Sequence, residues 1–324
     1  MKTYRIAGTD LEVSRIALGC MHLSRIWDDA PTTAEEQRNT QALVETALAQ
    51  GINLFDHADI YARGKSETLF GSLLRGTPGL RERIVLQSKC GIRFAGSPHA
   101  DSPGRYDFSR QHIVESVEGS LRRLHTDHLD LLLLHRPDPL LEPAEVAAAF
   151  DELQSAGKVR HFGVSNHTAA QISLLRKFVR QPLVVNQVEL SLLHHPLIDE
   201  GIVFNQHGTA YTASAGTLDY CREHDILLQA WSPLATGRLG GATDNIEPSL
   251  RPVAEAVGKL AERHGCRVEA ILLAWLLRHP AGIQPIIGTT NPQRLVASCA
   301  ADGIELARED WYALFSAARG HRVP

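Results

Sequence analysis

Short apolar runs alternate with amphipathic stretches down nearly the whole chain. The runs are Arg15–Gly19, Ile52–Phe55, Ile84–Ser88, Leu129–Leu134, Val159–Val164, Leu183–Val188, Ile226–Ala230 and Gln284–Ile287, eight in all. Runs this short and this continuously apolar suit parallel strands buried on both faces better than helices. Between them the apolar period becomes that of a helix. Ala42, Leu43, Ala47 and Leu48 share one face, as do Ile113, Val117, Leu121 and Leu124. Pro143 stands where a first-turn proline belongs, ahead of Val146, Phe150 and Leu153. Thr168 with Gln171 predicts a capping box opening a helix over Ile172–Phe178. Gly51 and Gly157 end helices just before the next strand.

Repeated strand–helix units either close into a barrel or fan into an open sheet. An open nucleotide-binding sheet should carry GxGxxG after its first strand, but that strand ends Leu18-Gly19-Cys20-Met21. No GxxxxGKS or GxxxxGKT segment occurs either. Eight repeats without those loops predict an α/β chain folded as a (β/α)₈ barrel, one domain over residues 1–324. Tyr4-Arg5-Ile6 and Leu11-Glu12-Val13 flank Gly8-Thr9-Asp10, the pattern of a hairpin that plugs the barrel floor. Beyond Arg308 an extra helix is expected to pack Trp311, Leu314 and Phe315. Two stretches break the rhythm, His194–Gly216 and Ser232–Ser249, the latter with Gly237, Gly240 and Gly241. Both read as loops over the barrel mouth, where substrates are usually met.

Composition narrows the function. The 324 residues are 44% hydrophobic, with a formal net charge of −4, so no field of one sign favours nucleic acid or an anionic membrane. The five cysteines are scattered and form no CxxC pair, which fits a reducing compartment without a disulfide framework. The N-terminal MKTYRIAGTD has no signal-peptide layout, and the apolar run Ile271–Leu277 is too short to span a bilayer. A cytoplasmic protein, monomeric or weakly homo-oligomeric, is expected.

In a barrel the working residues stand at the C-terminal ends of strands. The second run ends Phe55-Asp56-His57-Ala58-Asp59-Ile60-Tyr61, the third Gln87-Ser88-Lys89, and the fourth Leu134-His135-Arg136. Neighbouring strands lie about 5 Å apart, so Asp56, Tyr61, Lys89 and His135 can share one pocket. That set suits carbonyl reduction, which needs a hydride on carbon and a proton on oxygen. Tyr61 would donate the proton. Its ordinary pKa is about 10, and an ammonium beside it, Lys89, would lower that value. Asp56 would pair with and position Lys89. His135 would hold the carbonyl oxygen. Taken singly, each residue has an ordinary structural explanation, and the case rests on three consecutive strands ending in complementary groups.

These motifs resemble the aldo-keto reductase family, as do Gly163-Val164-Ser165-Asn166, Asn186-Gln187-Val188-Glu189, Trp231-Ser232-Pro233-Leu234 and Ile287-Gly288-Thr289-Thr290-Asn291-Pro292-Gln293-Arg294, in family order from about Tyr4 to the end. The wording Asp56-His57-Ala58-Asp59 and the segment Ser191–Pro196 resemble a bacterial oxidoreductase subgroup with poorly defined substrates. The resemblance implies a catalytic tetrad of Asp56, Tyr61, Lys89 and His135. It also implies a nicotinamide dinucleotide whose carboxamide meets Ser165, Asn166 and Gln187 and whose ring stacks on Trp231. Ser232, Leu234, Gly237 and Arg238 would cradle the pyrophosphate. Gly288-Thr289-Thr290 would open a short helix whose free N–H groups suit an anion. Arg294, one turn in, would clamp a 2′-phosphate. Many members have Lys where Gly288 stands and Asn, an adenine contact, where Ser298 stands. These departures remove a 2′-phosphate partner and an adenine contact, but Arg294 and Thr289 are kept, so the resemblance implies NADPH, with NADH use open.

Other chemistries have weaker support. The chain has sixteen histidines, but His57-x-Asp59 and His194-His195 come without a metal-binding helix motif or Cys/His cluster, so no metal is expected. His57 is expected to line or support the pocket, and His194 and His195 to reach substrate from their loop. No GxSxG marks a serine nucleophile. A cofactor-binding regulatory subunit with little turnover is the alternative function, and a Schiff-base chemistry on Lys89 is a third. Substrate choice belongs to Met21–Pro31, Ile92–Asp107 and His194–Gly216, where Trp27, Arg93, Phe94 and Tyr211 are candidate lining residues.

Overall fold

Strands apolar on both faces must find partners on both edges and cover on both sides, and closing the sheet on itself meets the first demand. The computed structural model describes residues 1–203, 215–240 and 246–324. Its strands are β1 (Thr3–Arg5), β2 (Glu12–Ser14), β3 (Ala17–Gly19), β4 (Leu54–Asp56), β5 (Val85–Cys90), β6 (Ile92–Arg93), β7 (Arg105–Tyr106), β8 (Leu129–Leu134), β9 (Val159–Ser165), β10 (Leu183–Glu189), β11 (Leu227–Trp231) and β12 (Gln284–Ile287). Eight of them close into a barrel in the order β3-β4-β5-β8-β9-β10-β11-β12, and every neighbouring pair is parallel. All eight expected runs form these strands. The first begins two residues later than its apolar pattern, because Ser14 Oγ accepts from Asn53 and donates to the Ile16 carbonyl just before it.

The helices are α1 (Ala34–Ala49), α2 (Lys65–Gly76), α3 (Arg110–Leu124), α4 (Pro143–Ser155), α5 (Ala169–Leu175), α6 (Pro196–Val203), α7 (Thr217–Glu223), α8 (Arg251–Arg263), α9 (Val268–Leu277), α10 (Pro292–Cys299) and α11 (Arg308–Arg319). Thr168 forms the expected capping box with Gln171, but α5 starts directly after it and ends at Leu175, earlier than the apolar pattern indicates. A capping box fixes the first turn at the residue after the cap, and the pattern cannot override it. Pro143 opens α4, and Gly51 and Gly157 follow α1 and α4 in the left-handed region. Trp275 on α9 stacks on Trp311 of α11 at 5.1 Å, and each indole N–H donates to the other's carbonyl. This fastens the last helix to the barrel wall.

Alternation along the strands sorts the barrel interior. Val85, Gln87 and Lys89 follow one another at every second residue of β5, as Leu54 and Asp56 do on β4. Strands β1 and β2 form the expected hairpin. Its Ile6, Leu11 and Val13 pack with Leu54, Val85, Leu131, Leu133 and Val185 in an apolar cluster separate from the one between strands and helices. There is no spare room inside. A Cβ on Gly163 would stand 2.7 Å from both Leu133 Cδ2 and the Val185 carbonyl oxygen.

The irregular stretches differ in part from expectation. The segment His194–Gly216 is not loop throughout, since α6 occupies Pro196–Val203 with Leu197 and Ile198 buried. Tyr211 and Gly241 lie outside the described residues. The stretch Ile92–Asp107 contains the small antiparallel pair β6–β7. No helix among the described residues is long and apolar enough to cross a membrane.

Candidate active site

Strands β4, β5 and β8 bring Asp56, Lys89 and His135 to one end of the barrel, and the turn after β4 brings Tyr61. The Lys89 ammonium donates to both Asp56 oxygens at 2.8 Å, to the His57 carbonyl at 2.9 Å and to the Tyr61 hydroxyl at 3.0 Å. Lys89 is 1% exposed, so it sits here only because every donor has an acceptor. Burial pushes its pKa down, but Asp56 and Tyr61 more than reverse this, and the net shift is upward. The His135 ring meets Tyr61 edge-on, with centroids 5.9 Å apart. Burial, then Lys89 and Arg136, hold His135 well below the ordinary histidine range, so the imidazole is neutral.

Tyr61 departs from the sequence-based expectation. Lys89 does lower its pKa, but burial of the phenol outweighs the ammonium, and the net direction is up. Desolvation penalises a buried phenolate whatever its neighbour. At neutral pH Tyr61 is therefore a phenol with its oxygen already accepting from Lys89, which leaves its own proton free to donate.

Beneath Lys89 lies a polar layer of buried glutamines. Asp56 Oδ1 accepts from Gln87 Nε2 at 2.6 Å and from Gln187 Nε2 at 3.0 Å. Both amides also donate to Gln229 Oε1, at 2.9 and 3.1 Å. Gln229 returns a bond to Gln87 and donates to Gln284, whose own amide donates to the Ser14 carbonyl of the floor hairpin. A continuous chain of hydrogen bonds thus joins the floor to Tyr61. Gln87, Gln229 and Gln284 were not among the expected site residues. The signal was present, since Gln87 and Gln229 each stand two residues before a site residue on the same strand face.

The neighbouring loops hold the remaining candidates. Asn166 is in the left-handed region and bridges two others. Its Nδ2 donates to the His135 carbonyl and to Ser165 Oγ, and its Oδ1 accepts from Trp231 Nε1 at 3.0 Å. Ser165 Oγ donates to the Gln187 carbonyl. Ser232, Ala235 and Thr236 after β11 also have positive φ, as do Ala62 and Arg63 after Tyr61. Left-handed non-glycine residues cost about 1–3 kcal/mol each, and here they gather at the ends of the site strands. Leu234 is half-buried and Gly237 exposed beside it. Arg238 is exposed and paired with Glu247.

The β12 side corrects one expectation. Gly288, Thr289 and Thr290 do not open the helix. It begins at Pro292, and the Asn291 side chain caps it by accepting from the Gln293 and Arg294 N–H groups. Two N–H groups of the helix's first turn, those of Gln293 and Arg294, therefore already have a partner. Thr290 accepts from Arg25. Arg294 is exposed and has no partner among the described residues, whereas Ser298 is fully buried with its hydroxyl unpaired.

The histidine-rich loop also differs from expectation. His195 does not reach the mouth. Its Nδ1 pairs with Asp199 at 2.6 Å, and its ring packs edge-on against Phe315 of α11. His194 backbone groups bond Ser191. His57 packs on Phe70 with both ring nitrogens unpartnered, and burial with Lys89 nearby lowers its pKa to about 3. Asp59 does not pair with it. Behind the site, burial and then Glu67 push Asp59 up to about 7, while Glu67 is held by Arg123 at 2.7 Å and by Ser88. Cys20 and Cys90 are buried and their thiols pushed well up, so neither is a ready nucleophile. Among the described residues no three metal-ligating side chains cluster.

Trp27 and Phe94 meet edge-on at 6.4 Å, and Arg63 lies over Phe94 at 5.1 Å. Arg93 is committed to Asp107 at 2.6 Å.

The model of the Aldo/keto reductase family matches residues 15–318. The chain is 39% identical to a 6-dehydroglucose reductase of Agrobacterium fabrum over 98% of this chain and 99% of that protein. It is 37% identical to the oxidoreductase YcsN of Bacillus subtilis over 97% of each, and 39% identical to the oxidoreductase YdhF of Escherichia coli over 89% and 90%. The glycerol dehydrogenase AKR11B4 from Gluconobacter oxydans superposes with a TM-score of 0.80 at 25% identity, covering 99% of this chain and 96% of that one. A closed eight-stranded parallel barrel, four converging side chains and these relatives together make the chain a member of the aldo-keto reductase family, an NAD(P)H-dependent oxidoreductase.

Proposed function

We propose that the protein reduces an aldehyde or ketone to an alcohol with NADPH, Tyr61 giving the proton. The observation that carries this reading is the bond from the Lys89 ammonium to the Tyr61 oxygen, with Lys89 held in turn by both oxygens of Asp56. Bound nicotinamide supplies the hydride. Tyr61 then passes its proton to the carbonyl oxygen, and the tyrosinate left behind is stabilised by Lys89 at 3.0 Å. His135, neutral and beside Tyr61, orients the carbonyl oxygen. The upward pKa of Tyr61 suits this direction, because the acid stays protonated throughout the neutral range.

The residues present fit a nicotinamide dinucleotide. The Trp231 ring is half-exposed and fixed by its bond to Asn166, a flat surface for a flat ring. Ser165, Asn166 and Gln187 stand beside it for the carboxamide, although the Gln187 amide nitrogen is turned down to Asp56. Ser232, Leu234, Gly237 and Arg238 follow for the pyrophosphate, with Gly288, Thr289 and Thr290 at the adenosine end, while Ser298 is buried behind them. NADPH is preferred because Arg294 is an exposed guanidinium without an acceptor. The absence of Lys at residue 288 keeps NADH in use as a slower donor.

The test is loss of NADPH absorbance with a panel of aldehydes. Tyr61→Phe should lower kcat at least about a thousandfold, while NADPH affinity by fluorescence titration stays within about twofold. Normal turnover by that variant would overturn the role of Tyr61. Arg294→Ala should raise the Michaelis constant for NADPH far more than for NADH, and equal effects would remove 2′-phosphate recognition from this residue.

A further inference from the structure

Several arginines ring the mouth, and most are already engaged. Arg25 donates to Thr290, Arg63 to the Trp27 carbonyl, Arg93 to Asp107 and Arg238 to Glu247. Arg136 is different. It follows His135 directly, is half-buried, and has no hydrogen bond or ion pair among the described residues. Its guanidinium lies 5.4 Å from the centre of the Trp231 ring. That ring is held by Asn166, which also donates to the His135 carbonyl, so the guanidinium stands on a fixed platform beside the site. A cation–π contact leaves the in-plane N–H donors of a guanidinium unused.

We propose that Arg136 is an oxyanion subsite for the substrate, so that the enzyme prefers carbonyl compounds bearing a carboxylate or phosphate over neutral ones. The inference rests on the reading of the site as a carbonyl reductase and deepens it. The fork of a guanidinium matches the two oxygens of a carboxylate or two of a phosphate, and in a half-dry site such a bond is stronger than in water. Holding the far end of a short substrate also fixes its carbonyl against His135 and Tyr61, so binding at Arg136 aids turnover as well as affinity. The charge of Arg136 already acts on the site, being one of the groups that hold His135 neutral.

The experiment compares two matched pairs, 4-oxobutanoate with butanal and glyceraldehyde 3-phosphate with glyceraldehyde, each with NADPH. In at least one pair the anionic member should have at least about a tenfold higher kcat/KM, and the favoured pair identifies carboxylate or phosphate as the source. Arg136→Met should remove at least nine-tenths of that advantage, and Arg136→Lys should keep part of it. No advantage in either pair, or an advantage unchanged in Arg136→Met, overturns the subsite. NADPH affinity should shift by less than about threefold in both variants. A tenfold loss of NADPH affinity with an unchanged ratio would assign Arg136 to the cofactor instead. If none of the four aldehydes is reduced, the carbonyl-reductase reading fails on its own. The subsite is then read by calorimetric titration of butyrate and of inorganic phosphate into the protein–NADP⁺ complex. Heat that disappears in Arg136→Met supports the subsite, and heat that is absent or unchanged overturns it.

Discussion

The two halves of the barrel interior follow the same alternation and do opposite things. Toward the floor, Leu54, Val85, Leu131, Leu133 and Val185 meet Ile6, Leu11 and Val13 of the hairpin, and the cluster is wholly apolar. Toward the mouth, Asp56, Gln87, Lys89, Gln187 and Gln229 occupy the interior, and nearly every donor has an acceptor. The lower half gains free energy by leaving water. The upper half forgoes that gain, and each buried polar group is tolerated only because its neighbours bond it. Stability should therefore be concentrated below and chemistry above.

Removing Lys89 is the strongest challenge to that division. Lys89→Met leaves Asp56 without its cation, and the variant should lose about 3–5 kcal/mol in chemical denaturation. It should also lose turnover by at least about a thousandfold. A variant with wild-type stability would mean the upper half is not held by its hydrogen bonds. Leu133→Ala probes the floor. It should cost about 2–5 kcal/mol in the same denaturation, yet leave kcat/KM within about threefold. A loss of turnover larger than the loss of stability would break the comparison.

Gln87→Leu sharpens it. This change takes one donor from Asp56 and one donor and one acceptor from Gln229, which keeps its bonds with Gln187 and Gln284, and should cost about 1–3 kcal/mol. With less competition for its oxygens, Asp56 draws more of the Lys89 charge and less reaches Tyr61. The Tyr61 pKa should rise further, moving the basic limb of the kcat profile for reduction to higher pH and slowing the reverse oxidation. A profile that falls uniformly without moving would reduce Gln87 to a packing residue. The last test lies at Asp59, whose Oδ1 is buried without a partner, and its effect is read only against pH. Its carboxyl is near 3.9 in the unfolded chain and about 7 in the fold, so the folded state binds the extra proton between those values. Stability from this group is lost as pH rises from about 4 to about 7. Asp59→Asn should remove that loss and match or exceed wild type above pH 7, measured as melting temperature against pH. A wild-type curve parallel to the variant's would exclude an elevated Asp59.

Much of this was legible beforehand. The eight apolar runs, the hairpin, the final helix and the four catalytic candidates all follow from local patterns, and the closed barrel follows from their number. The misses have a common cause. The start of α10 depends on Asn291 turning its side chain onto the Gln293 and Arg294 N–H groups, and the placement of His195 on a carboxylate and a ring from other elements. The Tyr61 shift depends on how much water the fold removes, which no neighbour in sequence reports.

By itself the sequence determined which residues are buried on each strand and which polar groups end them, because side-chain alternation is a property of the local backbone. Only the tertiary structure decided what those groups touch. Gln87 reaches Gln229 across 142 positions and Gln284 reaches Ser14 across 270. Contacts of that range exist only after the barrel has closed, and both desolvation and hydrogen-bond partners are set by that closure.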